Sequence, residues 1–215
     1  MSEPRVTLLG DPADLALAGP AEPGDGLAIE LVRGRPARDG AFAWDAGTAS
    51  ITGEHGVWRR LPWPAGTRAC ELAPPAATAA LVAGPPELTG PIAERLTSRE
   101  LPVTVRERAD LDAIAAASVV VLPVPGGAPP PAEAFAVLAA GRVLVTGRCE
   151  PTFGLQPGID CFMEPTEDGA AQRAEAVLRW PEAFELLRAL GRIAAERQRA
   201  EVVLRRLAVD AALGV

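Results

Sequence analysis

The chain has 215 residues, 48% hydrophobic and 23% charged, which is enough for one core, or one domain plus a small extra lobe, and is not a disordered composition. Its formal net charge of −7 argues against a general nucleic-acid binder, which needs a basic field against phosphates. The sequence contains no lysine, so Schiff-base and P-loop lysine chemistry are excluded, and the abundance of Ala, Gly, Pro and Arg reads as the composition of a GC-rich genome rather than as function.

Residues 5–9 (RVTLL) read as a short buried strand closed by Gly10-Asp11, and Asp11-Pro12 is placed to cap a helix over 13–18. A Pro/Gly-rich loop over 19–26 precedes a strand at 27–32 (LAIELV), and 41–45 (AFAWD) gives a third. Residues 47–56 read as a hairpin. Residues 57–75, with Pro62, Pro64, Pro74 and Pro75, read as an extended connector, because proline removes donors and fixes φ. These three short strands are expected to form a small lobe over residues 1–70 or to extend a larger sheet.

A regular pattern starts at about Ala76. Residues 78–83 (TAALVA) predict a buried strand, and Leu88, Ile92 and Leu96 share one face of a helix over 86–99. A strand at 101–105 and a short helix begun by Asp110 follow. The continuous apolar run 118–123 (SVVVLP) is expected of a central parallel strand covered on both faces. A Gly/Pro loop over 125–131 leads into a helix over 132–140 stopped by Gly141, then strands at 142–146 and 159–163. Thr166 with Gly169 marks the start of a helix running to about Arg179, and helix from Pro181 dominates to about Leu213. Alternating strands and helices predict an α/β fold: a Rossmann-like, mostly parallel sheet flanked by helices over residues 76–213.

Cys70, Cys149 and Cys161 are widely spaced and form no CxxC pair, so neither a disulfide framework nor a zinc site is expected. No D-x-D motif or His/Asp cluster occurs, and no metal or cofactor is implied. The N-terminus MSEPRVTLLGD lacks a basic region followed by an apolar core, and no stretch reaches the ~18–20 apolar residues of a membrane span. The expected location is the cytoplasm.

The block from Ser118 to Gly169 resembles the C-terminal, nucleotide-sugar-binding half of GT-B glycosyltransferases. Val119 to Pro123 match that family's strand ending in proline, Gly126-Gly127 its glycine loop, and Ala139-Ala140-Gly141 the end of its E-A-x-A-x-G-like helix. Residues 142–146 and 158–163 match the next two strands, and the FAVLAAG and PTFGL wording is nearest to CgeB-like members. The resemblance covers about residues 76–207. It implies a nucleotide-sugar as donor substrate, glycosyl transfer as the activity, and a ligand cleft at the carboxyl ends of the strands, where open α/β sheets bind ligands.

The glutamate that holds the nucleotide ribose in the family falls at Ala136, and its E-x7-E partner at Ala128. Glu133 is one helical turn earlier and could stand in, since residues i and i+3 share a face. Pro129, Pro130 and Pro131 remove N–H groups from the helix start that would bind phosphate, leaving Ala132, Glu133, Ala134 and the loop amides of Gly126, Gly127 and Ala128. Arg148, Thr152, Phe153 and Gly154 are candidates for a diphosphate or sugar contact, with Arg106 and Arg142 also near strand ends. His55, the sole histidine, is the catalytic candidate, in a glycine loop. Two readings follow. One is a compact glycosyltransferase-like enzyme. The other is a non-catalytic module that kept the fold and serves a protein partner or a homodimer.

Overall fold

The computed structural model describes residues 6–19, 27–32, 42–45, 57–60, 63, 65–75, 78–200 and 202–203. The predicted hairpin over 47–56, His55 and the chain beyond 203 lie outside the described residues.

Two parallel sheets organise the chain. The first holds β1 (Val6–Leu9), β2 (Leu27–Val32), β3 (Phe42–Asp45) and β4 (Val57–Arg60) in sequential order. Helix α1 (Pro12–Ala18) follows β1. It is capped by Asp11, whose carboxylate accepts from the Ala13 amide at 2.9 Å, as Asp11-Pro12 predicted. The sequence reading of 57–75 as an extended connector is corrected here. Residues 57–60 pair with β3, and Thr67–Cys70 form the short helix α2. The first strands do not extend the larger sheet; they form their own.

The second sheet has the order β6-β5-β7-β8-β9, all parallel. Its strands are β5 (Ala80–Ala83), β6 (Val103–Arg106), β7 (Val119–Leu122), β8 (Val143–Thr146) and β9 (Phe162–Met163). Every residue of β5, β7 and β8 is buried, which is what the SVVVLP run predicted for the central strand. The edge strand β6 exposes most of its side chains.

Alternation along the strands builds two apolar layers. Ala80, Val82, Val119, Val121, Val143 and Val145 face α3 (Pro86–Ser98) and α6 (Glu167–Arg179). Leu81, Ala83, Val120, Leu122 and Leu144 face the other way, toward α4 (Leu111–Ala116) and α5 (Ala134–Ala139). Helix α3 buries Ile92 and Leu96 on the predicted face, and Arg95–Asp168 and Arg99–Glu175 ion pairs tie it to α6. Asp110 caps α4 through the Ala113 amide at 2.7 Å, and Thr166 caps α6 through that of Gly169 at 3.1 Å. The fold is therefore the expected Rossmann-like α/β sheet.

A third layer lies over α5. After a 3-10 turn at Pro181–Phe184, helix α7 (Glu185–Glu196) packs on α5. Gly191 permits the approach: a β-carbon there would sit 2.9 Å from Leu138 Cδ2 and 3.1 Å from the Asp160 carbonyl oxygen. With α7 on one side and the sheet on the other, all six residues of α5 are buried. Beyond α7 the chain bridges to the segment after β4. The Ala65 amide donates to the Gln198 oxygen at 2.8 Å, and the Ala200 amide to that of Ala65 at 2.9 Å. Among the described residues no helix is long and apolar enough to cross a membrane.

Candidate ligand site

The strand order reverses between β5 and β7, so the crevice of an open parallel sheet falls beyond Ala83 and Leu122. The loops there read Gly84-Pro85-Pro86 and Pro123-Val124-Pro125, which bring few donors. Thr89, the first hydroxyl along α3, donates back to the Pro85 carbonyl at 3.1 Å. Polar chemistry is found one strand over, in the loops after β7 and β8.

Those two loops are joined by hydrogen bonds. The Gly127 amide donates to the Arg148 carbonyl at 3.0 Å, and the Glu150 amide to that of Ala128 at 3.0 Å. Gly147 makes the contact close, since a β-carbon there would lie 2.3 Å from the Val124 carbonyl oxygen. The joining has a consequence for anion binding. Of the six amides named from sequence, Gly127 is taken by Arg148, Ala128 donates to Pro125 at 3.0 Å, and Ala134 donates to Pro131 at 3.1 Å. The glycine loop is thus braced against its neighbour more than it is opened to a phosphate.

The β8 loop then turns at residues 152–155, where the Leu155 amide donates to the Thr152 carbonyl at 3.1 Å. Phe153 and Gly154, the two central residues, both have left-handed backbones, with φ of +52° and +89°. This is the geometry of a primed turn, and it is uncommon for an aromatic residue. A non-glycine residue held this way costs about 1–2 kcal/mol, and such strain gathers at functional sites. Phe153 nonetheless remains 38% exposed.

Phe153 and Gly154 open onto a cavity of about 250 Å³ between this loop and α7. Phe135, Ile159 and Ile193 supply its apolar walls, and Gln156, Asp160 and Arg197 its polar groups. Asp160 is held by the loop, its carboxylate accepting from the Gln156 amide at 2.9 Å. Burial raises the Asp160 carboxyl above its ordinary value, while bonds from the Gln156 amide and the Cys161 thiol pull the other way. Burial, and then the neighbouring Asp160 charge, push the Cys161 thiol up strongly.

The sequence candidates divide. Phe153 and Gly154 line the cavity, and Thr152 closes the turn beneath them. Arg148 is exposed and Gly127 is bonded to its carbonyl, with Gly126 exposed beside it. Glu133 is 6% exposed and Ala136 2%, so the helix face they share is turned to the core. Glu133 lines neither this cavity nor the larger one described below. Arg142 is buried at the amino end of β8, and Arg106 is exposed at the end of β6. Asp160, Ile193 and Arg197 were missed. The first lies in a run read as strand, and the other two come from α7 and the residue that caps its end, more than thirty residues from the turn. Among the described residues none of the three cysteines forms a disulfide, and no metal-binding cluster occurs.

No protein-family model and no curated protein sequence matches the chain. Among solved structures it is similar to HepE from Anabaena in complex with UDP, at 12% identity and a TM-score of 0.44, over 86% of this chain and 49% of that one. A second HepE structure, with UDP and glucose, gives 13% identity and a TM-score of 0.45 over 86% and 48%. The chain spans about half the length of those proteins.

Proposed function

We propose that the chain is a glycosyltransferase-like protein that binds a nucleotide-sugar, with one ring of the ligand laid against Phe153. The observation that carries this reading is the strained, 38% exposed Phe153 at the mouth of a mixed apolar and polar cavity. A flat apolar side chain beside a few fixed polar groups is how proteins hold a base or sugar ring. A volume of 250 Å³ takes a ring and leaves the rest of the ligand outside. The sequence resemblance over residues 118–169 supplies the ligand class, and its wording alone supports the finer CgeB-like assignment. The division into a lobe over 1–70 and a sheet domain over 76–213 belongs to the same proposal.

A non-catalytic role, as a binding or scaffold subunit, is favoured by one specific observation. Ala136, where the family keeps its ribose-binding glutamate, is a core position at 2% exposure, so no carboxylate is presented there. This second reading makes the chain a binding subunit for a protein partner.

The test is a thermal-melt screen with UDP, GDP, dTDP and their sugar conjugates, UDP being the nucleotide in the two HepE structures. A ligand at about 100 times its Kd stabilises the fold by about 2.7 kcal/mol. A shift with one nucleotide that is lost in Phe153→Gly supports the proposal and names the donor. No shift with any at millimolar concentration contradicts it. Release of the nucleotide from its sugar conjugate then separates transfer from binding alone.

A further inference from the structure

A larger cavity, about 490 Å³, lies at the opposite end of the sheet. Thr78, Ser118 and Arg142 line it, one or two residues before β5, β7 and β8, and α7 closes it with Glu185, Arg188 and Arg192. We propose that this pocket binds a small molecule carrying two phosphoryl groups, held by Arg142, Arg188 and Arg192. It is separate from the Phe153 cavity and does not depend on the nucleotide-sugar reading.

The charges carry the argument. Buried charges in proteins are normally paired. Arg142 is 1% exposed, yet among the described residues none of the three arginines forms an ion pair, and only Arg188 feels nearby carboxylates, Glu185 and Glu182. The partners of Arg142 are neutral. Its Nε donates to the Ile114 carbonyl at 3.1 Å, and Nη2 to those of Ala73 at 2.6 Å and Ala115 at 3.0 Å. Two of these carbonyls lie in the last turn of α4, so these bonds fix the guanidinium in place and leave Nη1 unbonded. Arg188 gives one bond, from Nη1 to the Pro181 carbonyl at 3.2 Å. Arg192 makes no hydrogen bond, and its guanidinium lies over Gly141, where a β-carbon would meet Nε at 2.3 Å. Burial first, and then the charges of Arg192 and Arg188, lower the Arg142 pKa to about 10. The pocket thus concentrates like charge in a chain whose net charge is −7.

Glu185 lines the pocket and the charge of Glu182 also acts on Arg188, so three guanidiniums against two carboxylates leave 3 − 2 = +1. Guanidinium forks match phosphoryl oxygens in pairs, and a single phosphate would fill only a small part of this volume. The volume sets the number: a second phosphoryl group fills the space that one leaves and engages the remaining guanidiniums.

The test is isothermal titration of the full chain with pyrophosphate, fructose 1,6-bisphosphate and inorganic phosphate. The variants are Arg188→Gln/Arg192→Gln, which spares the buried Arg142, and Phe153→Gly. Circular dichroism checks that each is folded. The expected result is saturable binding of at least one bisphosphoryl probe, tighter than phosphate, weakened at least tenfold by the arginine pair and by added salt, and unchanged in Phe153→Gly. Tighter pyrophosphate would indicate free diphosphate as the ligand, and tighter bisphosphate a phosphorylated sugar. No binding at millimolar concentration, or binding that survives Arg188→Gln/Arg192→Gln, would overturn the proposal.

Discussion

Gly147→Ala tests whether the joined β7 and β8 loops are what set the candidate site. The added carbon would lie 2.3 Å from the Val124 carbonyl oxygen and 3.0 Å from Val124 Cγ2. The first distance is about 1 Å inside an ordinary C···O contact. One partner is backbone, so relief requires the two loops to part. Overpacking of this kind costs about 1–3 kcal/mol. Parting also weakens the Gly127–Arg148 and Glu150–Ala128 hydrogen bonds, each worth about 1 kcal/mol net. Together these give a loss of about 2–4 kcal/mol, or roughly 5–15 °C in Tm for a chain of this size. Urea unfolding and a thermal melt measure it. Gly126→Ala is the control, because a β-carbon there meets nothing within 4 Å and its φ is not positive. Equal stability of Gly147→Ala and Gly126→Ala would refute the claim that close contact at Gly147 holds the loops.

Other outcomes follow from the same physics. Phe153→Gly relieves the left-handed strain while losing partial burial, so stability should stay within about 1 kcal/mol in urea titration even as ligand-induced stabilisation disappears. The alkaline limb is governed by few groups, since the sequence has no Lys and no Tyr. The Cys161 thiol is raised by burial from its ordinary value of 9.0, so it stays neutral in the folded state where the unfolded chain ionises. Stability should therefore fall above pH 9, by up to about 1.4 kcal/mol per pH unit from this group. Arg142, lowered from 12.5 to about 10, acts in the opposite sense from pH 10 upward, because there the unfolded chain holds the proton more tightly. The steepest loss should lie between pH 9 and 10, and chemical denaturation of Cys161→Ala across that window should show a shallower slope.

The sheet was legible wherever periodicity and punctuation agreed. SVVVLP reads as a strand buried on both faces, and Thr166, Gly169 and Arg179 bracket α6 within a residue. Agreement failed where tertiary pairing overrode local signals. Residues 57–60 pair as β4 although two prolines follow closely, because those prolines lie outside the strand. The run 159–163 shortens to a two-residue β9 because Asp160 is tied back to the Gln156 amide in a turn. At the site, Phe153 and Gly154 could be named from sequence as a loop beside the β8 end. Arg197 and Ile193 could not, since only the packing of α7 on α5 brings them there. The same packing explains Glu133: reasoning from helix spacing assumed an open face, and α5 has none. The arginine cluster had no sequence signal beyond Arg142 at a strand start, because Arg188 and Arg192 read as the solvated side of a helix.

Saturation-transfer difference NMR of the best nucleotide from the melt screen tests the central claim most directly, with the wild-type chain and Phe153→Gly measured side by side. The account predicts transfer to the base or sugar ring protons in the wild type and its loss in Phe153→Gly, while added pyrophosphate leaves the wild-type signal in place. Transfer of equal strength in both proteins, or none in either, would contradict a ligand ring resting on Phe153.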